Sequence, residues 1–255
     1  MKIRWMSEVP GVTREQTLGN IAYAKSLGLP CVSSHARPPL AVIGGGPSAA
    51  DFATELRGWA GDVWVSGSAF PWALSIGLVR PTFFTIDQSP QLAIDGKGAT
   101  KAILATCCNK ATFDELKSAK VEIFDLVGAG PDANHWATTV TAAPHLAMRM
   151  GYKDVTFYGC DSSFRGGVID FLRRTHAYPT DQVGDAIIVE CGGKSFITRP
   201  SFVMQAEFMS QVLRLLPNVF KVRGDGLLSE MVRNPEYETT HATHSIASQL
   251  MPQAA

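Results

Sequence analysis

Three groups of residues in this sequence have the types and spacing that chemistry needs. The first is Gly44-Gly45-Gly46-Pro47-Ser48, which follows the apolar run Leu40 to Ile43 and precedes a helix-like stretch with Phe52, Ala53 and Leu56 on one side. Glycine adopts positive φ and lets a ligand approach the backbone. Pro47 suits a first helical turn, where its missing N–H had no intrahelical partner. A helix starting there offers unpaired N–H groups and a partial positive charge to an anion. The second group is a pair of carboxylates, Asp87 and Asp161, each placed just after a run that reads as a strand, TFFTI and VTFYGC. The third is the polar stretch from Ser162 to Asp185, which carries His176, Tyr178, Arg165, Arg173 and Arg174. Carboxylates facing a phosphate cradle suit Mg²⁺, which takes one or two protein carboxylates plus substrate phosphates. A histidine there can act as general acid or base, and arginines can hold anionic groups.

Each group has a plainer counterpart. GGGPS is not a Walker loop, because no Gly-Lys-Ser/Thr follows, and Ala49 stands where GxGxxG has its third glycine. A tight strand-to-helix turn without a ligand uses the same residues. Strand-end aspartates often cap loops, a cluster of arginines is often a solvated face, and His176 can simply pack against Tyr178. His135 and His145 read as structural. His241 and His244 lie in a polar tail, and their spacing is only a weak metal signal. Cys107-Cys108 follow a strand end without an evident histidine or aspartate partner, which argues against a nucleophile.

The elements that must position these residues are legible as an alternation. Strand-type runs at Leu40–Ile43, Asp62–Ser66, Thr82–Ile86, Ala102–Thr106, Val121–Asp125 and Asp154–Tyr158 are separated by helix-type stretches at 49–58, 70–75, 112–118 and 136–150, the last interrupted by Pro144. Such alternation predicts an α/β fold, Rossmann-like and doubly wound, with a mainly parallel sheet and helices on both faces. In such a sheet ligands bind beyond the carboxyl ends of the strands, near the switch in strand order. That edge would collect Gly44 to Ser48, Asp87, Asp161 and the loop with His176. Farther on, AIIVEC and KSFIT joined by Gly192-Gly193 predict a hairpin, followed by helix Ser201–Leu216 and a last strand–helix unit, NVFKV then RGDGLL. Thr13 predicts the cap of a helix from Arg14 to Leu27, with Leu18, Ile21 and Ala22 on its apolar face. The chain therefore divides into a helical extension (1–38), a Rossmann-like domain (39–233) and a polar tail (234–255).

The bulk numbers narrow the function. Lys+Arg and Asp+Glu are 23 each in 255 residues, so no basic field recruits nucleic acid. No run approaches the ~20 apolar residues of a membrane span, and MKIRWMSEVPG has no apolar signal core. Five cysteines without a CxxC pair suit reduced thiols in a cytoplasmic setting. Neither a membrane nor a nucleic acid is expected as a partner.

The order GGGPS, a strand ending in Asp87, then GAGPDANHWATTVTAAPHLAMRMGYKDVTFYGCDSSF, HAYP and VRGDGLL resembles the 6-hydroxymethylpterin diphosphokinase MptE-like family, its phage and prophage versions especially. The resemblance spans about residues 38 to 232. Its most specific string is Gly151-Tyr152, Gly159, Asp161-Ser162-Ser163 and His176-Ala177-Tyr178-Pro179. It implies a Rossmann-like fold and Mg²⁺-dependent transfer of diphosphate from ATP to a small hydroxyl acceptor. Other relatives are linked to transfer from nucleotide sugars in flagellin glycosylation. By match of motif, nucleotide binding is carried to Gly44, Gly45, Gly46, Pro47 and Ser48, joined by Ser162 and Tyr178 from the specific string. Asp87 and Asp161 take the metal and catalytic positions, with His176 beside them. Two departures bear on the substrate: Gly-Ala-Gly-Pro-Asp follows Val127 where a Gly-Ser/Thr-rich turn is expected, and Thr180 follows HAYP where glutamine is expected. A nucleotide-sugar glycosyltransferase and a non-catalytic nucleotide-binding module are the alternatives.

Overall fold

A computed structural model describes residues 12–126, 138–165 and 187–234. Seven of its strands form one sheet: β1 (Leu40–Ile43), β2 (Asp62–Ser66), β3 (Thr82–Thr85), β4 (Lys101–Ala105), β5 (Lys120–Phe124), β6 (Val155–Tyr158) and β9 (Phe220–Val222). All neighbours pair in parallel, in the order β5-β4-β3-β2-β1-β6-β9. The two remaining strands, β7 (Ile187–Cys191) and β8 (Lys194–Thr198), form a separate antiparallel hairpin. Its turn is Gly192-Gly193, with φ of 58° and 73°, the left-handed pair that a two-residue turn demands. The helices are α1 (Arg14–Ser26), α2 (Ala53–Arg57), α3 (Phe70–Ser75), α4 (Lys110–Glu115), α5 (Thr139–Met150), α6 (Pro200–Leu215) and α7 (Leu227–Arg233). The α/β, Rossmann-like fold with a hairpin and C-terminal helix is thus the one the alternation predicts, with strand limits displaced by a residue.

The sheet reads as apolar runs because it is covered. Every residue of β1, β3 and β6 is buried, which is why LAVI, TFFT and VTFY show no polar alternation. The side chains still divide by face. Phe83 packs edge-on against Phe70 of α3, while its neighbour Phe84 points the other way, to Trp64 and Phe124. Trp64 in turn meets Tyr152, which follows α5. Helices therefore cover both faces.

The chain steps outward from β1 to β5, then returns through α5 to lay β6 on the other side of β1. The switch in strand order falls between β1 and β6. Helix α5 runs unbroken through Pro144, capped by a reciprocal Thr138–Thr141 pair at one end and by left-handed Gly151 at the other.

Two expectations about the first 38 residues change. Thr13 does cap α1, and Ile21 packs against the core as expected, but Leu18 is 54% exposed, Ala22 is exposed, and Ala24 is the fully buried residue. The helix is held by polar hooks that a hydrophobic period does not register. Asn20 donates to the Cys107 carbonyl at 3.1 Å and the Tyr23 hydroxyl to Asp114 at 2.5 Å. Beyond it, Ile123 of β5 donates to the Pro30 carbonyl and Val32 donates to the Ile123 carbonyl, both at 2.9 Å. The segment read as an extension covers the β5 edge of the sheet, an edge that would otherwise present unpaired backbone groups.

Candidate site at the switch between β1 and β6

The glycine turn leaves β1 where β6 also ends, at the carboxyl rim of the sheet. Pro47 opens a 3₁₀ turn over Pro47–Phe52, tighter than the α-helix expected from residue 49, and α2 follows directly. Gly46 is the residue before this turn, with φ −75° and ψ 151°. That conformation is open to any residue, so glycine is needed there for space. A Cβ on Gly46 would lie 2.6 Å from an Asp161 carboxylate oxygen and 2.6 Å from the Gly159 carbonyl. A Cβ on Gly44 would lie 2.5 Å from the same carbonyl. The glycines let the ends of β1 and β6 close on each other.

The turn's donors are largely spent inside the protein. The N–H of Gly44 goes to the Tyr158 carbonyl at 2.8 Å and that of Gly46 to the Gly159 carbonyl at 2.6 Å. Pro47 has no N–H. The Ser48 N–H goes to Asp161 Oδ2 at 2.8 Å, and the Ser48 hydroxyl donates to Asp161 Oδ1. The Gly45 N–H finds no acceptor among the described residues. Asp161 is 4% exposed, and burial pushes its carboxyl above the usual aspartate value, against the opposing pull of Ser48 and Arg165. A carboxylate of the protein thus stands where an incoming anion would meet Ser48.

The residues after Asp161 tie three loops together. Ser162 has φ 53° and is 7% exposed, and its hydroxyl has no hydrogen-bond partner among the described residues. Its carbonyl accepts from Thr198 Oγ1 at 2.7 Å, which joins it to the hairpin. The Ser163 hydroxyl accepts from the Leu227 N–H at 3.1 Å, at the start of α7. Arg165 bridges two carboxylates, 2.6 Å from Asp51 on the 3₁₀ turn and 2.5 Å from Asp225 before α7. Gly224 and Gly226 flank Asp225, and Cβ atoms there would press on Ser48 and Asp161.

Asp87 lies elsewhere on the same rim. It is half-buried after β3, where it accepts from the Ser89 N–H at 2.7 Å, and burial raises its carboxyl. Burial raises the Asp95 carboxyl too, and the nearby Asp87 charge adds to it. Three strand positions separate β3 from β6, roughly 14 Å at about 4.8 Å per strand. Mg²⁺ holds its ligands at about 2.1 Å, so Asp87 and Asp161 do not share one ion as first expected. Among the described residues no three His, Cys, Asp or Glu side chains gather to hold a metal. Asp161, buried and engaged through both oxygens, does not fit the role of a metal ligand; Asp87 fits as one carboxylate beside substrate phosphates.

Of the predicted residues, Gly44, Gly45, Gly46, Pro47, Ser48, Asp161 and Ser162 come together at the switch point. Asp87 is apart, and His176 and Tyr178 lie outside the described residues. His145 borders a hollow of about 10 Å³ at the end of β5 with Asp125 and Arg149, room for about one water. Burial and Arg149 lower the pKa of His145. Cys107 and Cys108 are buried, and burial pushes the Cys107 thiol up to about 12, so neither is an activated nucleophile. The Arg165 bridge was not visible in the sequence, because Asp51 and Asp225 are remote from it in the chain. RGDG after a short strand was the available sign that a second glycine turn faces the first.

Comparison of the chain with protein-family models, curated proteins and solved structures finds no match.

Proposed function

We propose that the chain is a Mg²⁺-dependent, nucleotide-using transferase of the diphosphokinase type. The observation that carries this reading is the placement of the glycine turn, Arg165 and the Gly224–Gly226 loop together at the β1/β6 switch, where open α/β sheets bind their ligands. The donor's phosphates would lie against the Gly45–Gly46 backbone and the Arg165 guanidinium, and extend along the rim toward Asp87. Mg²⁺, held by Asp87 and the substrate phosphates, would neutralise charge on the oxygens being transferred. The acceptor oxygen bonds to the β-phosphorus of ATP as the bond from that phosphorus to the α,β-bridging oxygen breaks. AMP leaves with that oxygen, and the hydroxyl proton passes to a base, for which His176 stays the candidate on sequence alone.

A non-catalytic nucleotide-binding module is the second reading. It is favoured by the burial of Asp161 on Ser48, which leaves Asp87 as the carboxylate for metal chemistry.

Thermal shift against ATP, other nucleotides and nucleotide sugars, with and without Mg²⁺, tests both. A ligand at a hundredfold excess over Kd stabilises by about 2.7 kcal/mol, worth roughly 5–10 °C in a chain of this size. The expected result is a shift with nucleotide that grows with Mg²⁺, and AMP release on addition of a hydroxyl acceptor. A nucleotide shift without turnover selects the second reading. A response to nucleotide sugars alone selects glycosyl transfer. A flat panel refutes the site.

A further inference from the structure

We propose that Asp161 is an internal occupant of this site, and that the Asp161–Arg165 segment is a lock which a ligand's anionic group must open. The inference rests on the reading above, that an anionic nucleotide enters at the β1/β6 switch. The Asp161 carboxylate takes both donors that Ser48 offers, so an incoming phosphate cannot use them until Asp161 moves. Arg165 is held in the same way. Its two terminal nitrogens are on two carboxylates from two different loops, Asp51 and Asp225. A guanidinium fork in that state is paired for a planar or tetrahedral oxyanion, with the protein's own carboxylates in its place. Those two carboxylates are 51% and 70% exposed, so the pairs they make are the kind that solvent screens and a ligand can replace.

The segment between the two contacts supplies an independent sign of a second conformation. Ser162, between Asp161 and Ser163, holds a left-handed backbone that a serine rarely adopts, and its buried hydroxyl is unpaired among the described residues. Both carry a free-energy cost in the locked state that movement of the segment can relieve. The lock also has a way to report. Phe164 donates its N–H to the Ile197 carbonyl at 2.8 Å, Thr198 donates to the Ser162 carbonyl, and the Leu228 N–H donates to the Asp161 carbonyl at 3.1 Å. Release of Asp161 therefore moves backbone that supports both the hairpin and the start of α7.

Isothermal titration of the full chain with inorganic pyrophosphate, and separately with ATP, tests the lock. Asp161→Asn keeps the side-chain shape and removes the competing charge; pyrophosphate is expected to bind about tenfold tighter than to wild type. Asp225→Asn, at a side chain that is 70% exposed, frees one arm of Arg165, and a two- to threefold gain is expected for such a surface pair, by order of magnitude. If wild type binds either ligand and neither variant binds more tightly, the lock is refuted while the nucleotide reading stands. If Asp161→Asn fails to fold, the Asp225→Asn titration decides alone. If wild type and both variants bind neither pyrophosphate nor ATP, the nucleotide reading fails and takes the lock with it.

Discussion

Gly46→Ala separates two reasons for a glycine at the switch point. If glycine is there to let a ligand approach, alanine should leave folding intact and weaken binding. If it is there to let β1 and β6 close on each other, alanine should destabilise the protein before any ligand is added. The geometry favours the second. The backbone of Gly46 is ordinary, with φ −75°, so alanine pays no conformational penalty. The added Cβ would meet the Gly159 carbonyl at 2.6 Å and Asp161 Oδ2 at 2.6 Å. Only the carboxylate can swing away, and doing so strips Ser48 of its acceptor; the carbonyl belongs to a backbone already hydrogen-bonded by the Gly46 N–H. Overpacking of this kind costs about 1–3 kcal/mol, and the value should sit in the upper half because the carbonyl cannot yield. That corresponds to a fall of roughly 4–12 °C in Tm. Gly19→Ala is the control: it lies in α1, with nothing within 4 Å of the added Cβ. It should gain about 0.5–1 kcal/mol, because glycine is a poor helix former. Calorimetry of both variants without ligand is the assay. A Gly46→Ala variant that melts within a degree of wild type would refute the packing explanation.

Two further outcomes follow from burial. Of the five thiols, Cys31 alone is exposed, while burial raises the pKa values of Cys107, Cys108, Cys160 and Cys191. Ellman's reagent at pH 8 should therefore titrate one thiol rapidly and the other four only on addition of denaturant; fast reaction of a second thiol in the native protein would contradict the buried strand ends. The stability difference between wild type and Asp161→Asn should depend on pH with a definite sign. Burial raises the folded-state pKa of Asp161 above its unfolded value, so the native protein binds this proton first, and stability from this group rises as pH falls from neutral toward about 4. Urea midpoints should then shift in favour of wild type over that range and level off below it. A shift in favour of the variant on acidification would mean that Ser48 and Arg165, not burial, dominate the carboxyl.

What was legible in the sequence is what short-range pattern encodes. LAVI, TFFT and VTFY announce covered parallel strands by the lack of polar alternation, and GGGPS announces a tight exit from the first of them. Thr13 announces the cap of α1, and Gly192-Gly193 the hairpin turn. The docking face of α1 was hidden because polar groups hold it: Asn20 and Tyr23 matter more than Leu18, and hydrophobic periodicity does not record them. The partners of Ser48 and Arg165 were hidden for another reason. Asp161 is 113 residues from Ser48, and nothing local in either segment specifies that one will cap the other.

The same contact decides how a strand-end aspartate at a topological switch should be weighed. Its position is the one that ligand-binding carboxylates occupy, and position alone gave it a metal. Its surroundings give it a different task. A carboxylate buried to 4% exposure, bonded through both oxygens and flanked by glycines that have no room for a Cβ, is part of the wall of the site. Asp87, on the same rim, accepts from the backbone N–H groups of Ser89 and Gln88 and is only half-buried, so a ligand can reach it. The exposure of a carboxylate, taken together with its hydrogen bonds, discriminates between the two roles where sequence position does not. On that reading the proposed metal falls to Asp87, and the proposed lock on the neighbouring cradle to Asp161.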